Sequence, residues 1–395
     1  MDWLFNPASR ATPSEKVAGR NLIVQNFSEK YPSAQIEYWL RPDEPYMADI
    51  LYKLEDGQRS YVFASRYTGE IQGESQVTIQ RFFRDLHYYL FIPFQIGHFT
   101  VLAFAFLLLI SLVTALLFYK KWWKKLFVLQ TGKGMLVFFR SLHRLVGLWS
   151  VPFSILFSLT GIWYFIERAN ISGIGEEVNP RPPVINRQSG EGALPAARYS
   201  TTLDYDRAVR LAEAQIPGLE VGDLLPAKGA DFPIYLTGTS DVPLVRQRAN
   251  RVYVDPQTYE VIKVQRASDI STKMWLNDIM DPLHFGSWGG LVTKITWFVF
   301  GLGISSLILS GIWITLKRRA LQRRQKKVKI MGFWKYVNWA FCAAMLGYMY
   351  YIIFTRYQAS VLATAIISLS WAGLALLAYY IFVYRLRRNI LREQT

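Results

Sequence analysis

The chain has 395 residues, 51% of them apolar and 15% aromatic, and it sets 45 Lys and Arg against 29 Asp and Glu for a formal charge of +16. It is too apolar to be wholly soluble and too long for one small domain, so membrane and soluble parts are expected together. The excess cations stand in short runs beside apolar stretches rather than over a soluble surface, which argues against a nucleic-acid partner, and the single cysteine, Cys342, rules out an internal disulfide.

Met1-Asp2-Trp3-Leu4-Phe5-Asn6-Pro7 has neither a basic n-region nor an apolar h-region and is not a signal peptide. Before Leu86 the chain carries ten basic and twelve acidic residues. Placing such a segment outside a membrane requires something to send it there, so an upstream membrane helix missing from this sequence is expected. Val17, Leu22, Ile23 and Phe27 give Glu15 to Tyr31 an apolar helical face. Ala34 to Leu40, Met47 to Leu54 and Ser60 to Ser65 read as strands, with turns at Arg41-Pro42-Asp43 and Asp56-Gly57. Residues 1–86 therefore read as a small helix-plus-antiparallel-sheet module.

Five apolar stretches are long enough to cross a bilayer, which takes about 20 residues. They run from Leu90 to Phe118, Val146 to Ile166, Leu291 to Leu316, Phe333 to Phe354 and Val361 to Tyr384. Seven Lys or Arg and no acid lie between Tyr119 and Arg144, nine and none between Lys317 and Lys335, and four and none between Arg385 and Arg392. The positive-inside rule makes these segments cytoplasmic. Ile171 to Leu283, with twelve basic and fifteen acidic residues, belongs on the other side with residues 1–86. The order is a first outer module (1–86), a membrane helix (87–118), a basic loop (119–140), a membrane helix (141–166), a Gly/Pro/Ser-rich linker (167–203), a second outer module (204–283), a membrane helix (284–316), a basic loop (317–332), two membrane helices (333–384) and a cytoplasmic tail (385–395).

The second module repeats the first. Tyr205 to Gln215 is a helix, Ile216-Pro217-Gly218-Leu219-Glu220-Val221 matches Tyr31-Pro32-Ser33-Ala34-Gln35-Ile36, and the stretch from Val252 to Val261 matches that from Tyr61 to Ile71. Each module leads into a Leu-His pair, Leu86-His87 and Leu283-His284, that opens a membrane helix. The duplication has a period of about 200 residues, and duplicated membrane halves commonly place sites at their shared interface.

The four histidines, His87, His98, His143 and His284, all stand at the mouth of an apolar run or a few turns inside one. Burying an ionisable side chain there is costly, which makes each a functional candidate. No Gly-x-Gly-x-x-Gly after a strand, P-loop, Cys-x-x-Cys or His-Glu-x-x-His occurs, so nucleotide chemistry and zinc hydrolysis have no evident site. Pairs such as Glu176-Glu177 and Asp204/Asp206 read as solvated loop acids.

Tyr67-Thr68-Gly69-Glu70-Ile71-Gln72-Gly73, Leu142-His143-Arg144 with Gly147-Leu148-Trp149, and the run from Ser158 to Tyr164 together resemble the PepSY-associated transmembrane family over residues 1 to 320. These are bacterial inner-membrane proteins that include haem-containing reductases of ferric siderophores. The resemblance implies an α-helical membrane bundle of about five transmembrane helices with two small α+β PepSY-like periplasmic modules. The family usually begins with one more membrane helix carrying its own Leu-His-Arg, and this sequence departs from it there.

Within that resemblance the histidines become axial ligands of haem b, since two neutral imidazoles from facing helices make a low-spin electron carrier. His87 and His284, at equivalent repeat positions, form the natural outer pair. His143 lies toward the cytoplasmic face. His98, eleven residues after His87, would sit about 16 Å deeper on a continuous helix and pair with His143, although Pro93 interrupts that register. Arg144 reads either as a partner for a haem propionate or as a boundary anchor. The expected function is electron transfer from an unknown donor across the lipid bilayer to a ferric chelate or siderophore. The rivals are a non-enzymatic protein whose modules restrain a periplasmic partner and an iron or siderophore transporter, although the paired broken helices of a midplane transport site are missing.

Overall fold

The computed structural model describes residues 2–185, 199–323 and 333–384. Parts of the expected linker (186–198) and second basic loop (324–332), and the whole tail (385–395), lie outside the described residues. The chain divides into two units, Met1–His87 with Trp163–Gly290, and Tyr88–Ile162 with Leu291–Thr395.

In the first unit each half builds a helix and a four-stranded meander. The first half has α1 (Arg20–Lys30), β1 (Gln35–Leu40), β2 (Asp49–Glu55), β3 (Gln58–Ala64), β4 (Ile71–Ser75) and α2 (Ile79–Tyr89). Helix α1 begins at Arg20 rather than Glu15, because Ala18 N–H is taken by the Arg66 carbonyl at 2.8 Å and holds the preceding chain extended. The β2–β3 turn is the expected Asp56-Gly57, with φ of 49° and 75° at its two central residues, the pattern of a type I′ hairpin. Strand β4 was not expected. The second half has α6 (Tyr205–Gln215), β5 (Glu220–Leu225), β6 (Ile234–Thr239), β7 (Asn250–Val254), β8 (Val261–Gln265) and α7 (Thr272–Phe285), with α6 at its expected bounds.

The two halves are not separate modules. They share one sheet in the order β4-β3-β2-β1-β5-β6-β7-β8, the arrangement that a local two-fold axis between β1 and β5 would generate. Period-two alternation sends Trp39, Leu51, Val62, Leu224, Leu236 and Val252 to one face, where they form a core with Ile23, Phe27, Tyr205 and Ala208 of α1 and α6. The seam itself is narrow, with Trp39 opposite Leu224 as its one aligned pair. Side chains make up the difference. Asp206 accepts from Arg20 N–H at 2.6 Å and Asn21 N–H at 3.3 Å, while Asn21 Oδ1 accepts from Tyr205 N–H at 2.8 Å. Each helix thus has its free N-terminal amides capped by the other half.

The second unit holds the apolar helices: α3 (Phe94–Phe118), α4 (Met135–Trp149), α5 (Val151–Arg168, whose last turns belong to the first unit), α8 (Gly290–Arg323), α9 (Trp334–Thr355) and α10 (Val361–Tyr379). Among the described residues four helices are long and apolar enough to cross a bilayer, and the α4–α5 pair, bent by 59°, passes the same test when its two helices are taken together, as a broken span or a re-entrant loop. Pro152 explains the bend, because its ring nitrogen cannot return a hydrogen bond to Leu148. Close approaches use small residues: a Cβ on Gly161 would come within 2.7 Å of the Ala105 Cβ. The continuous helix expected over 87–118 is broken. Leu90 and Phe91 take φ of 57° and 48°, and Pro93 starts α3 afresh, so His87 and His98 stand on different helices.

Candidate functional site

His87 and His284 meet within the first unit. His87 lies in the last turn of α2 and His284 in the last turn of α7, which Gly286 ends in the left-handed region (φ 68°) by donating to Pro282 O at 2.9 Å. Their ring centroids are 6.2 Å apart with planes inclined by 29°. An imidazole-to-metal bond of about 2 Å, plus about 1 Å from nitrogen to ring centre, places two axial imidazoles on one ion about 6 Å apart. The separation of the two rings therefore matches that of two imidazoles sharing one metal. Among the described residues no group of three or more His, Cys, Asp or Glu is placed to hold a metal.

Burial pulls the His284 imidazolium down to about 4, and the neighbouring His87 pushes the same way, while Asp281 opposes them. His87 keeps an exposed surface, yet the protein around it also lowers its pKa. Both rings are thus neutral at pH 7 and keep a nitrogen lone pair for a metal.

A polar network anchors α7 behind His284. Tyr164 stacks edge-on against the His284 ring at 5.5 Å and donates its hydroxyl to Asp281 at 2.7 Å. Arg246 joins the other oxygen of Asp281 and also donates to Asp278 at 2.7 Å, and Arg248 donates to the same Asp278 oxygen at 3.0 Å. Burial works against the Arg246 cation, but Asp281 and Asp278 outweigh it and hold its pKa up. Pro282 makes this docking possible. Lacking an N–H, it leaves the carbonyl of Asp278 free within the helix, and Arg246 N–H takes that carbonyl at 3.1 Å. Sequence reasoning passed over Tyr164, Arg246, Asp278 and Asp281. The usable signal was the three-residue spacing of Asp278, Asp281 and His284, which puts them on one helical stripe.

His143 and His98 belong to the second unit. His143 Nδ1 lies 2.8 Å from Ser310 Oγ. The hydroxyl of Ser310 is also placed to donate to carbonyls of its own helix, Ser306 at 2.8 Å and Leu307 at 3.2 Å, an arrangement in which the serine accepts from an Nδ1–H of His143. This leaves Nε2 as the basic nitrogen. The guanidinium of Arg144 donates to the Val128 carbonyl at 2.8 Å, and its Nε is buried with no partner among the described residues. His98 is 3% exposed, stacked on Phe94 at 5.3 Å, with Nδ1 3.2 Å from the Tyr88 carbonyl. These surroundings are those of a packed aromatic cluster.

An uncharacterized protein of Pseudomonas aeruginosa is 23% identical to the chain over 282 residues, which covers 67% of this chain and 68% of its own length. The description of the PepSY-associated TM region matches residues 1–318, a span that takes in the eight-stranded sheet and all four histidines, and the chain belongs to this family of membrane proteins.

Proposed function

We propose that the protein is a multi-pass inner-membrane electron-transfer protein that passes electrons from a cytosolic or membrane donor to a ferric chelate, of which siderophores are the natural class, on the periplasmic side. His87 and His284 would be the axial ligands of a b-type haem, and the observation that carries this reading is their 6.2 Å spacing from equivalent positions of two halves. Such a group, when bound, supplies a one-electron couple. Ferric release on reduction follows because hard oxygen donors hold the ferrous ion less well. The chain's own part is to bring two imidazoles from separate helices to one point, keep them neutral by burial, and fix the bearing of α7 through Tyr164, Asp281 and Arg246. His143, with Nε2 left basic by Ser310, is the candidate ligand for a second site toward the cytoplasm. The placement of the sheet outside and of the basic loops inside rests on the one-sided distribution of Lys and Arg.

The test is a reduced-minus-oxidised spectrum of the purified protein. Soret and α bands of a low-spin b haem are expected, together with loss of the outer signal in His87→Ala and in His284→Ala. A preparation lacking these bands sinks the reading and favours a non-redox role for the eight-stranded sheet.

A further inference from the structure

The segment from Tyr119 to Arg144 has seven cations and no acid, and topology alone does not explain how it is built. Lys121 takes a left-handed φ of 59°, which is costly for a residue with a Cβ, and starts a tight turn over Trp122–Lys125. The chain after it is pinned along α4 by three hydrogen bonds. Trp149 Nε1 donates to the Leu126 carbonyl at 2.8 Å, Arg144 donates to that of Val128 at 2.8 Å, and Gln130 N–H donates to Ser141 Oγ at 3.0 Å. The loop is therefore a fixed strap.

The outward side of this strap mixes two chemistries. Lys120, Lys121, Lys124, Lys125, Lys133 and Arg140 are all exposed, and none has a carboxylate partner among the described residues. Among them stand Phe118 at 83%, Trp123 at 56% and Phe127 at 82% exposure, the first ending the apolar helix α3 and the others just beyond it. Water would wet the lysines but not the aromatic rings, and an acidic protein surface would match the lysines but not their position at the end of a membrane span. The level of lipid headgroups offers both, with ester and glycerol groups for the indole and phosphates for the ammonium groups.

We propose that this strap is a binding surface for anionic phospholipid headgroups. Its three pins fall at Ser141, Arg144 and Trp149, on both sides of His143, so headgroups engaged by the lysines hold that arm of α4 at a set depth. This holds whatever His143 ligates.

The test uses the full-length protein, delipidated in a nonionic detergent and titrated with phosphatidylglycerol or phosphatidylcholine, with retained lipids counted by native mass spectrometry. Wild type is expected to retain phosphatidylglycerol at least about tenfold more strongly, and raising the salt should erode the preference. K120Q/K121Q/K124Q/K125Q should abolish the preference, and K124Q/K125Q should fall between. A preference that is absent in wild type, or that survives undiminished in both variants, overturns the proposal. The readout requires no haem, so it stands apart from the spectrum that tests the redox reading.

Discussion

Asp223 offers a test of how the two halves are joined. It lies on β5 at the seam, accepting from Tyr38 Oη at 2.6 Å and from Arg41 N–H at 3.1 Å. Burial pushes its carboxyl from 3.8 up to about 6; the hydrogen bonds from Tyr38 and Arg41 and the charge of Arg20 oppose the shift, and Asp43 adds to it. A folded-state pKa above the unfolded one means that the folded protein binds the proton more tightly. The associated stability is complete below pH 4 and is lost as the pH rises through 6. A shift of about two pH units at about 1.4 kcal/mol each makes the ionised form about 3 kcal/mol less favourable in the folded state. Asp223→Asn cannot titrate. The wild-type melting temperature, taken relative to that of Asp223→Asn at one scan rate in one detergent, should therefore fall by about 5–10 °C between pH 4 and pH 7. The comparison must be a difference, because His284, whose pKa is lowered, pulls wild type and variant alike in the opposite sense. Parallel curves for the two proteins would refute a buried, proton-binding Asp223 and with it the polar account of the seam.

Arg246→Leu leaves Asp278 and Asp281 facing each other without their shared cation, at a cost of about 3–5 kcal/mol; removing the acids as well should recover much of it, and an Arg246→Leu melt within error of wild type would contradict the network. Ser310→Ala removes the acceptor from His143 Nδ1, a loss of about 1 kcal/mol, so nitrogen NMR of ring-labelled protein should show Nδ1–H yielding to a mixture of tautomers, whereas Ser310→Thr retains it. An unchanged tautomer in Ser310→Ala would show that the serine does not set it.

Much of the fold was legible because its signals are local. Helix α6 announces itself through Asp204, which caps it by accepting from Arg207 N–H at 2.9 Å; the Asp56-Gly57 hairpin is written in two residues, and the break before α3 in Pro93. The seam was not legible. Its members, Arg20, Asn21, Tyr38, Asp206 and Asp223, lie some 180 positions apart in the chain, and each by itself reads as an ordinary surface residue or cap. The bend of the α4–α5 pair lay with Pro152, which cannot donate to the carbonyl four residues before it.

The pairing of His87 with His284 followed from the duplication, since equivalent residues of two halves meet only if they lie near the axis relating them. What the duplication does not carry over is the charge around them. Arg81 and Arg84 stand six and three residues before His87, and Asp278 and Asp281 stand six and three residues before His284. Arg81 is tied to Asp85 at 3.0 Å, but the nearest acid to Arg84 is that same Asp85 at 3.9 Å, and Arg84 is 45% exposed. Asp278 and Asp281 are instead held by Arg246 and Arg248. Two identical histidines related by an axis would feel equal fields. Here one histidine has a loosely paired cation a turn away and the other has an acid pair held by two arginines, so divergence at these four positions breaks the electrostatic symmetry of the histidine pair.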